Sequence, residues 1–166
     1  MKKIGLLSDT HNYLDPKIYQ YFADVDEIWH AGDIGDISIT DELKNFKPLR
    51  AVYGNIDNTL IRSEFPEFNR FEVEGIDVLI THIGGRPGNY SKPVAEILKT
   101  NPPKLFICGH SHILLVKLDP KYNMLCMNPG AVGNKGFHSV KTILRFEIEN
   151  GKIQHLEAIE LGKRNS

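Results

Sequence analysis

Five short apolar runs in this chain each stop at an Asp, an Asn or a His, and this recurrence constrains the fold more than any other feature. Residues 4–7 lead into Ser8-Asp9-Thr10-His11, and residues 28–31 lead into Gly32-Asp33. Residues 49–53 run into Gly54-Asn55-Ile56-Asp57, residues 78–81 into His82, and residues 106–108 into Gly109-His110-Ser111-His112. Apolar runs this short and this continuous are the pattern of strands buried on both faces, as in a parallel sheet.

The segments between the runs fit that reading. Asp15-Pro16 is a helix start, and Ile18, Phe22 and Val25 recur at helical spacing, which predicts a helix over residues 15–24. Asp36 or Ser38 caps a second helix carrying Ile39, Leu43 and Phe46 on one face, and Pro48 ends it. The resulting β-α-β-α-β alternation implies parallel strands joined by right-handed crossovers. Beyond Asp57 the rhythm changes. Residues 71–74 and 76–81 predict a hairpin around Gly75, and Gly84, Gly85, Pro87 and Gly88 predict a loop. A helix starts at Ser91 with Pro93 in its first turn, and Asn101-Pro102-Pro103 stops it before a strand at 104–108. Strands at 113–118, 124–127, 140–148 and 153–160 read as antiparallel, with Asn150-Gly151 a strong hairpin turn. The expected architecture is one domain over residues 1–166 of the α/β (α+β) class. A parallel half joins an antiparallel half, giving two facing sheets with helices outside.

Length and charge narrow the function. A chain of 166 residues can bury a sizeable core, and a formal net charge of −1 argues against a duplex-DNA binder with a basic face. Cys108 and Cys126 sit inside apolar segments without Cys-x-x-Cys spacing and read as buried, reduced thiols, so a cytoplasmic location is expected. The apolar run after Met1-Lys2-Lys3 is too short for a signal peptide. No stretch approaches the roughly 20 apolar residues that span a bilayer.

In open α/β sheets ligands bind where the carboxyl ends of the strands emerge. Any one of Asp9, His11, Asp33, Asn55, His82, His110 and His112 could be a helix cap or an ordinary loop residue. The ordered set is harder to dismiss, because every one of the five strand ends supplies a metal-compatible side chain. Two carboxylates, one amide oxygen and four imidazoles, with no thiolate, suit hard or borderline divalent ions. Seven ligands exceed what one zinc takes but suit two octahedral ions sharing a carboxylate. Two divalent cations against two carboxylates and a hydroxide leave a net positive cavity, which attracts a phosphate oxyanion. Paired ions about 3.5–4 Å apart both generate hydroxide and stabilise in-line phosphoryl transfer.

Asp9-x-His11, Gly32-Asp33, Gly54-Asn55-x-Asp57, His82 and Gly109-His110-x-His112, in this order, resemble the calcineurin-like metallophosphoesterases. The short length and Asn128-Pro129-Gly130 resemble the small YfcE-type phosphodiesterase branch. The resemblance spans essentially the whole chain. It implies a four-layer αββα sandwich with a dinuclear centre, one ion held by Asp9, His11, Asp33 and His112 and the other by Asp33, Asn55, His82 and His110. Asp33 would bridge, and Asp33, Asn55 and His82 would serve catalysis around a hydroxide shared by the ions. Many relatives carry a His directly after the motif asparagine, where this chain has Ile56, and a Gly-His after the fourth-motif histidine, where it has Ile83-Gly84. Asp57 would orient Asn55 from behind.

The activity expected is hydrolysis of small phosphate esters, phosphodiesters first, with rates that fall steeply as the leaving group's pKa rises. A phosphomonoesterase with the same centre and a non-catalytic, metal-binding interaction scaffold are the alternatives. A nuclease is expected only for short or modified ends, and long nucleic acid is not expected as a partner. Manganese is the first choice of ion, with iron, zinc, nickel and cobalt also compatible with the ligands. A homodimer or higher homo-oligomer fits the resemblance. Asn12 and Arg86 are candidate substrate contacts. His30 is either a support to the site or a buried structural residue, His138 follows the Gly-rich loop 130–136 and is a weaker candidate for a substrate contact than for an ordinary loop residue, and His155 reads as surface.

Overall fold

The computed structural model describes residues 1–165. The chain begins with β1 (Lys2–Leu7), α1 (Lys17–Tyr21), β2 (Glu27–His30), α2 (Ile37–Phe46), β3 (Leu49–Ala51) and α3 (Thr59–Glu64). It continues through β4 (Phe68–Val73), β5 (Ile76–Thr81), β6 (Gly85–Arg86), β7 (Asn89–Tyr90) and α4 (Lys92–Thr100). The remaining strands are β8 (Leu105–Ile107), β9 (Leu115–Asp119), β10 (Met124–Asn128), β11 (Val140–Glu149) and β12 (Lys152–Lys163).

Two five-stranded sheets result, in the orders β12-β11-β1-β2-β3 and β4-β5-β8-β10-β9. Alternation along the strands makes both sheets two-sided. Ile4, Leu6, Trp29, Leu144 and Phe146 of the first sheet meet Val78, Ile80, Leu105, Ile107 and Met127 of the second in one buried layer. The opposite face of the first sheet, with Leu7, Ile28 and Ile143, is covered by Ile18, Phe22, Ile39 and Leu43 of the first two helices and their flanks. The opposite face of the second sheet, with Leu79, Phe106 and Cys126, is covered by Val94 and Leu98 of α4. This is the four-layer αββα sandwich. Cys108 and Cys126 are both buried and unpaired as thiols. Among the described residues no helix is long and apolar enough to cross a membrane.

The division into a parallel and an antiparallel half needs correction. Each sheet is mixed: β1, β2 and β3 are parallel, as are β5, β8 and β10, while antiparallel pairing adds β11 and then β12 beside β1 and places β4 and β9 at the two edges of the second sheet. The C-terminal hairpin returns to the first sheet, β11 pairing with β1 and placing Leu144 and Phe146 in the layer between the sheets. The helix expected over 15–24 is only five residues long. Asp15 does accept a hydrogen bond from the Lys17 amide (2.9 Å), but Pro16 is the terminal residue and the chain turns off after Phe22. The second helix is capped by Asp36, whose carboxylate accepts from the Ser38 amide. The expected turns at Gly75 and Asn150-Gly151 are present. Both are two-residue turns with left-handed φ at each position (Glu74 49°, Gly75 83°; Asn150 49°, Gly151 74°), as hairpin twist requires.

Candidate metal centre

The parallel strands of both sheets end at one edge, and all seven expected side chains are found there. Asp9, His11 and His112 offer ligand atoms within 4.8 Å of one another, and so do Asp33, His82 and His110. Asp33 joins the two groups, its Oδ2 lying 3.3 Å from His11 Nε2 and 3.1 Å from His82 Nε2. Asp9 Oδ1 faces His112 Nε2 at 3.1 Å and the Nε2 atoms of His11 and His82 at 3.7 Å each. The Asn55 amide oxygen is 3.1 Å from His110 Nδ1, beside the second group.

The backbone is bent to achieve this. Asp9, His11, Asn12, Asp33, His110 and His112 all have left-handed φ, between 44° and 69°. Each such residue costs roughly 1–3 kcal/mol and is retained where surrounding structure over-determines it. Asp, Asn and His tolerate this region better than other side-chain-bearing residues, so the ligand types also suit the turns. Close approach adds a second constraint. A Cβ on Gly54 would strike the Asp33 carboxylate and amide, and one on Gly109 would fall 2.8 Å from Asp9 Oδ2 and against the Ser8 hydroxyl.

Neighbouring groups fix three of these side chains. The Ser8 hydroxyl (2.7 Å) and the His110 amide (3.2 Å) donate to Asp9 Oδ2, leaving Oδ1 for the centre. The Ile56 amide donates to Asp33 Oδ1 (3.1 Å), leaving Oδ2. His82 Nδ1–H donates to the Ala31 carbonyl (2.7 Å), which directs the Nε2 lone pair at Asp33 Oδ2. A lone pair facing a carboxylate oxygen at 3.1 Å requires a proton or a cation between them. Asp9 Oδ1, His11 Nε2 and His82 Nε2 are buried atoms that complete no hydrogen bond. Three such orphans of opposite protonation chemistry, converging with two carboxylates, fit a divalent cation better than they fit each other.

The protonation energetics agree. Burial opposes the Asp9 carboxylate, yet the imidazoles of His11, His112 and His82 and the Ser8 hydroxyl hold it below the usual range. Asp33 is likewise opposed by burial and drawn down by His11, His82 and the Ile56 amide. Asp33 and then Asp9 push His11 up to about 9, and the same carboxylates raise His82 against the effect of its burial. His30 runs the other way, since its complete burial lowers it to about 4 and outweighs the attraction of Asp57 and Asp9.

The residues around the ligands divide clearly. Among the described residues no hydrogen bond joins the Asp57 carboxylate to the Asn55 side chain, so orientation from behind needs correction. Its carboxylate instead accepts three amides, from Gly54 (2.7 Å), Ile34 (3.1 Å) and Gly35 (2.9 Å), and ties the Asn55 turn to the Asp33 loop. Asn12 and Arg86 are exposed near the centre, and among the described residues neither side chain makes a hydrogen bond or ion pair. His30 is a buried support, accepting the Gly32 amide at Nδ1 (3.0 Å) and bonding Thr10 Oγ1 through Nε2 (3.1 Å). His138 stacks edge-on against His112 with ring centroids 5.2 Å apart, while His155 is exposed beside Glu147. Three supporting residues had no role assigned from sequence. Ser8 holds Asp9, and Asn128 holds the Gly109 carbonyl and the Ser111 hydroxyl (3.0 Å each). Arg62 grips the carbonyls of Asp57 (2.7 Å) and Asn55 (3.2 Å). The Asn-Pro-Gly at 128–130 was the one visible signal among these.

Residues 1–151 match the calcineurin-like phosphoesterase superfamily domain. A probable metallophosphoesterase of Methanocaldococcus jannaschii is 31% identical over 134 residues, covering 77% of this chain and 67% of the relative. Among solved structures, an archaeal phosphodiesterase superposes with a TM-score of 0.75 at 25% identity, covering 96% of this chain and 99% of its own. Vps29 of Chaetomium thermophilum superposes with a TM-score of 0.72 at 17% identity, covering 98% and 100%, and shares the fold.

Proposed function

Because the chain belongs to the calcineurin-like phosphoesterase superfamily, we propose that it is a phosphodiesterase working through two divalent ions. Asp9, His11, His112 and Asp33 hold one ion in this reading, and Asp33, Asn55, His82 and His110 hold the other. The observation that carries it is the pair of three-residue groups joined at Asp33, with Asp9 Oδ1, His11 Nε2 and His82 Nε2 buried and unpartnered between them. A bound ion pair supplies an activated water and charge neutralisation for in-line attack on phosphorus.

The chain's own residues set the rest. Asp9 and Asp33 stay ionised across the physiological range, because His11 and His82 face them and amides from His110 and Ile56 bind their outer oxygens. His82 is locked by the Ala31 carbonyl, so it cannot swing away to act as a mobile proton donor. Ile56, with 47% of its surface exposed beside Asn55, has no proton to give. An ester whose leaving group departs without protonation is therefore the best substrate.

The test is hydrolysis of an aryl phosphodiester and the matching monoester by metal-stripped protein, adding back manganese, nickel, zinc or magnesium one at a time. Metal-dependent diester cleavage that disappears in Asp33→Ala is the expected result. A preference for the monoester would replace the diesterase reading with a phosphatase. Two bound ions with neither ester cleaved would remove the hydrolase reading.

A further inference from the structure

A cavity of about 420 Å³ opens beside the second ligand group, between the β6–β7 hairpin and the segment that follows His110. His110 forms part of its wall, so whatever enters it lies against the candidate centre. The rest of the lining contrasts with the charged edge it adjoins. Ile83, Ile113, Leu115 and Tyr90 line the space. Ile113 is 62% exposed and Ile83 46%, two branched apolar side chains left in water next to a cluster of carboxylates and imidazoles. Single exposed apolar residues need no explanation, but a concave group of them beside a polar site marks a ligand pocket. The Tyr90 ring is anchored by its hydroxyl, which donates to Asp119 Oδ2 at 2.6 Å, and by edge-on contacts with Phe106 and Tyr122. Arg86 lines the space from β6 and makes no ion pair among the described residues.

We propose that this cavity binds an aromatic substituent of the phosphodiester, with Ile83, Ile113 and Tyr90 as its selective walls and Arg86 free to meet an acidic group on the ring. The proposal rests on the phosphodiesterase reading for its substrate. A sugar or short alkyl substituent would leave the isoleucine walls wet and gain little, whereas a flat ring removes apolar surface from water on both partners. The chain's preference among diesters is then set by the substituent as well as by the leaving group.

Bis(4-nitrophenyl) phosphate and methyl 4-nitrophenyl phosphate share a leaving group and differ in the second substituent. Their kcat/KM ratio, measured with manganese-supplemented wild-type, Ile113→Asp and Ile83→Ala proteins, reads the cavity. Ile113 and Ile83 both lie outside the buried core, so neither replacement threatens folding. The ratio should fall by about tenfold in Ile113→Asp, the lower end of what one apolar contact contributes in a pocket. Calorimetric titration of the same proteins with phenylphosphonate and methylphosphonate gives a reading that needs no turnover. The phenyl compound should bind tighter to wild type, and Ile113→Asp should erase the difference. If both diesters are hydrolysed but the ratio and the phosphonate discrimination are unchanged in the variants, the cavity assignment fails and the phosphodiesterase survives. If no ester is hydrolysed yet Ile113→Asp still erases phenyl discrimination, the cavity stands and the hydrolase falls.

Discussion

Asp57→Asn isolates the brace behind the site without changing its shape. The carboxylate accepts two amides at Oδ2, from Gly54 and Ile34, and one at Oδ1, from Gly35. An asparagine has one acceptor oxygen. Its better orientation keeps the two bonds at the Oδ2 position and turns an NH2 towards the Gly35 N–H. A hydrogen bond to a charged group contributes about 1.5–3 kcal/mol and a neutral one about 1, so each surviving bond weakens by about 1 kcal/mol. The Gly35 donor, left unsatisfied, costs a further 1–3 kcal/mol or so, reduced because Gly35 is only half-buried. Removing one negative charge from the neighbourhood of Asp9 and Asp33 returns part of this. The net expectation is a loss of about 2–4 kcal/mol, or a fall in Tm of about 5–15 °C for a chain of this size. The three amides belong to the Asp33 loop and the Asn55 turn, so manganese affinity should drop by about 10–100-fold as well. Thermal melting with and without manganese, followed by a manganese titration, measures both effects. A Tm within about 2 °C of wild type would refute the brace. A lowered Tm with unchanged manganese affinity would refute its connection to the site.

Ile56→His supplies a proton donor beside Asn55 and should raise kcat on alkyl diesters by about a hundredfold, the low end for general acids, with far less change on aryl diesters. Parallel leaving-group series for the two proteins check this; equal slopes would contradict it. His11 is raised from 6.5 to about 9 by Asp33 and Asp9. Its folded-state pKa lies above the unfolded one, so in metal-free protein its stabilising share is complete below about pH 6.5 and lost as pH rises through about 9. Manganese binding at pH 7.5 should therefore release a proton, which titrations in buffers of different ionisation enthalpy would register. Lys141 is fully buried and bonds Asp15 at 2.8 Å. Lys141→Ala leaves that carboxylate with the Lys17 amide but without its cation and should cost about 3–5 kcal/mol, and Lys141→Met combined with Asp15→Leu should recover the larger part. Urea melts of the two variants separate these outcomes.

The candidate ligands were legible because two signals coincide in them: an apolar run marks a buried strand, and the residue that ends it is a metal-compatible side chain. Asp9, Asp33, Asn55, His82 and His110 all obey that rule. The turns that carry them were not legible, since nothing about Asp9 or His110 as a letter announces a left-handed backbone. The helix α3 escaped notice for a similar reason. It is six residues long and buries only Ile61, too little for a helical period to show, and so Arg62 had no visible role. Asp57 looked like a partner for its neighbour Asn55 because sequence displays neighbours. Two of its three partners, Ile34 and Gly35, are more than twenty positions away. The sheet of β11 was hidden by the same limit, because an alternating strand declares an apolar face but not which sheet that face completes.

The cluster at the strand ends straddles a seam. Asp9, Asp33 and Asn55 hang from β1, β2 and β3, while His82 and His110 hang from β5 and β8 in the facing sheet. The gap they span is held open by the side chains between the sheets, where Trp29 packs edge-on against Phe146 at 5.8 Å and Phe71 at 5.1 Å. The molecule is in this respect a pair of calipers: the aromatic spacers set the opening of the jaws, and the residues at the tips read it. Shaving a spacer, as in Trp29→Phe, alters the tips without touching them. An ion gripped by both jaws would in turn resist any sliding of one sheet past the other, as far down as the opposite end, where the Gly151 amide in one hairpin turn meets the Glu74 carbonyl in the other at 2.7 Å.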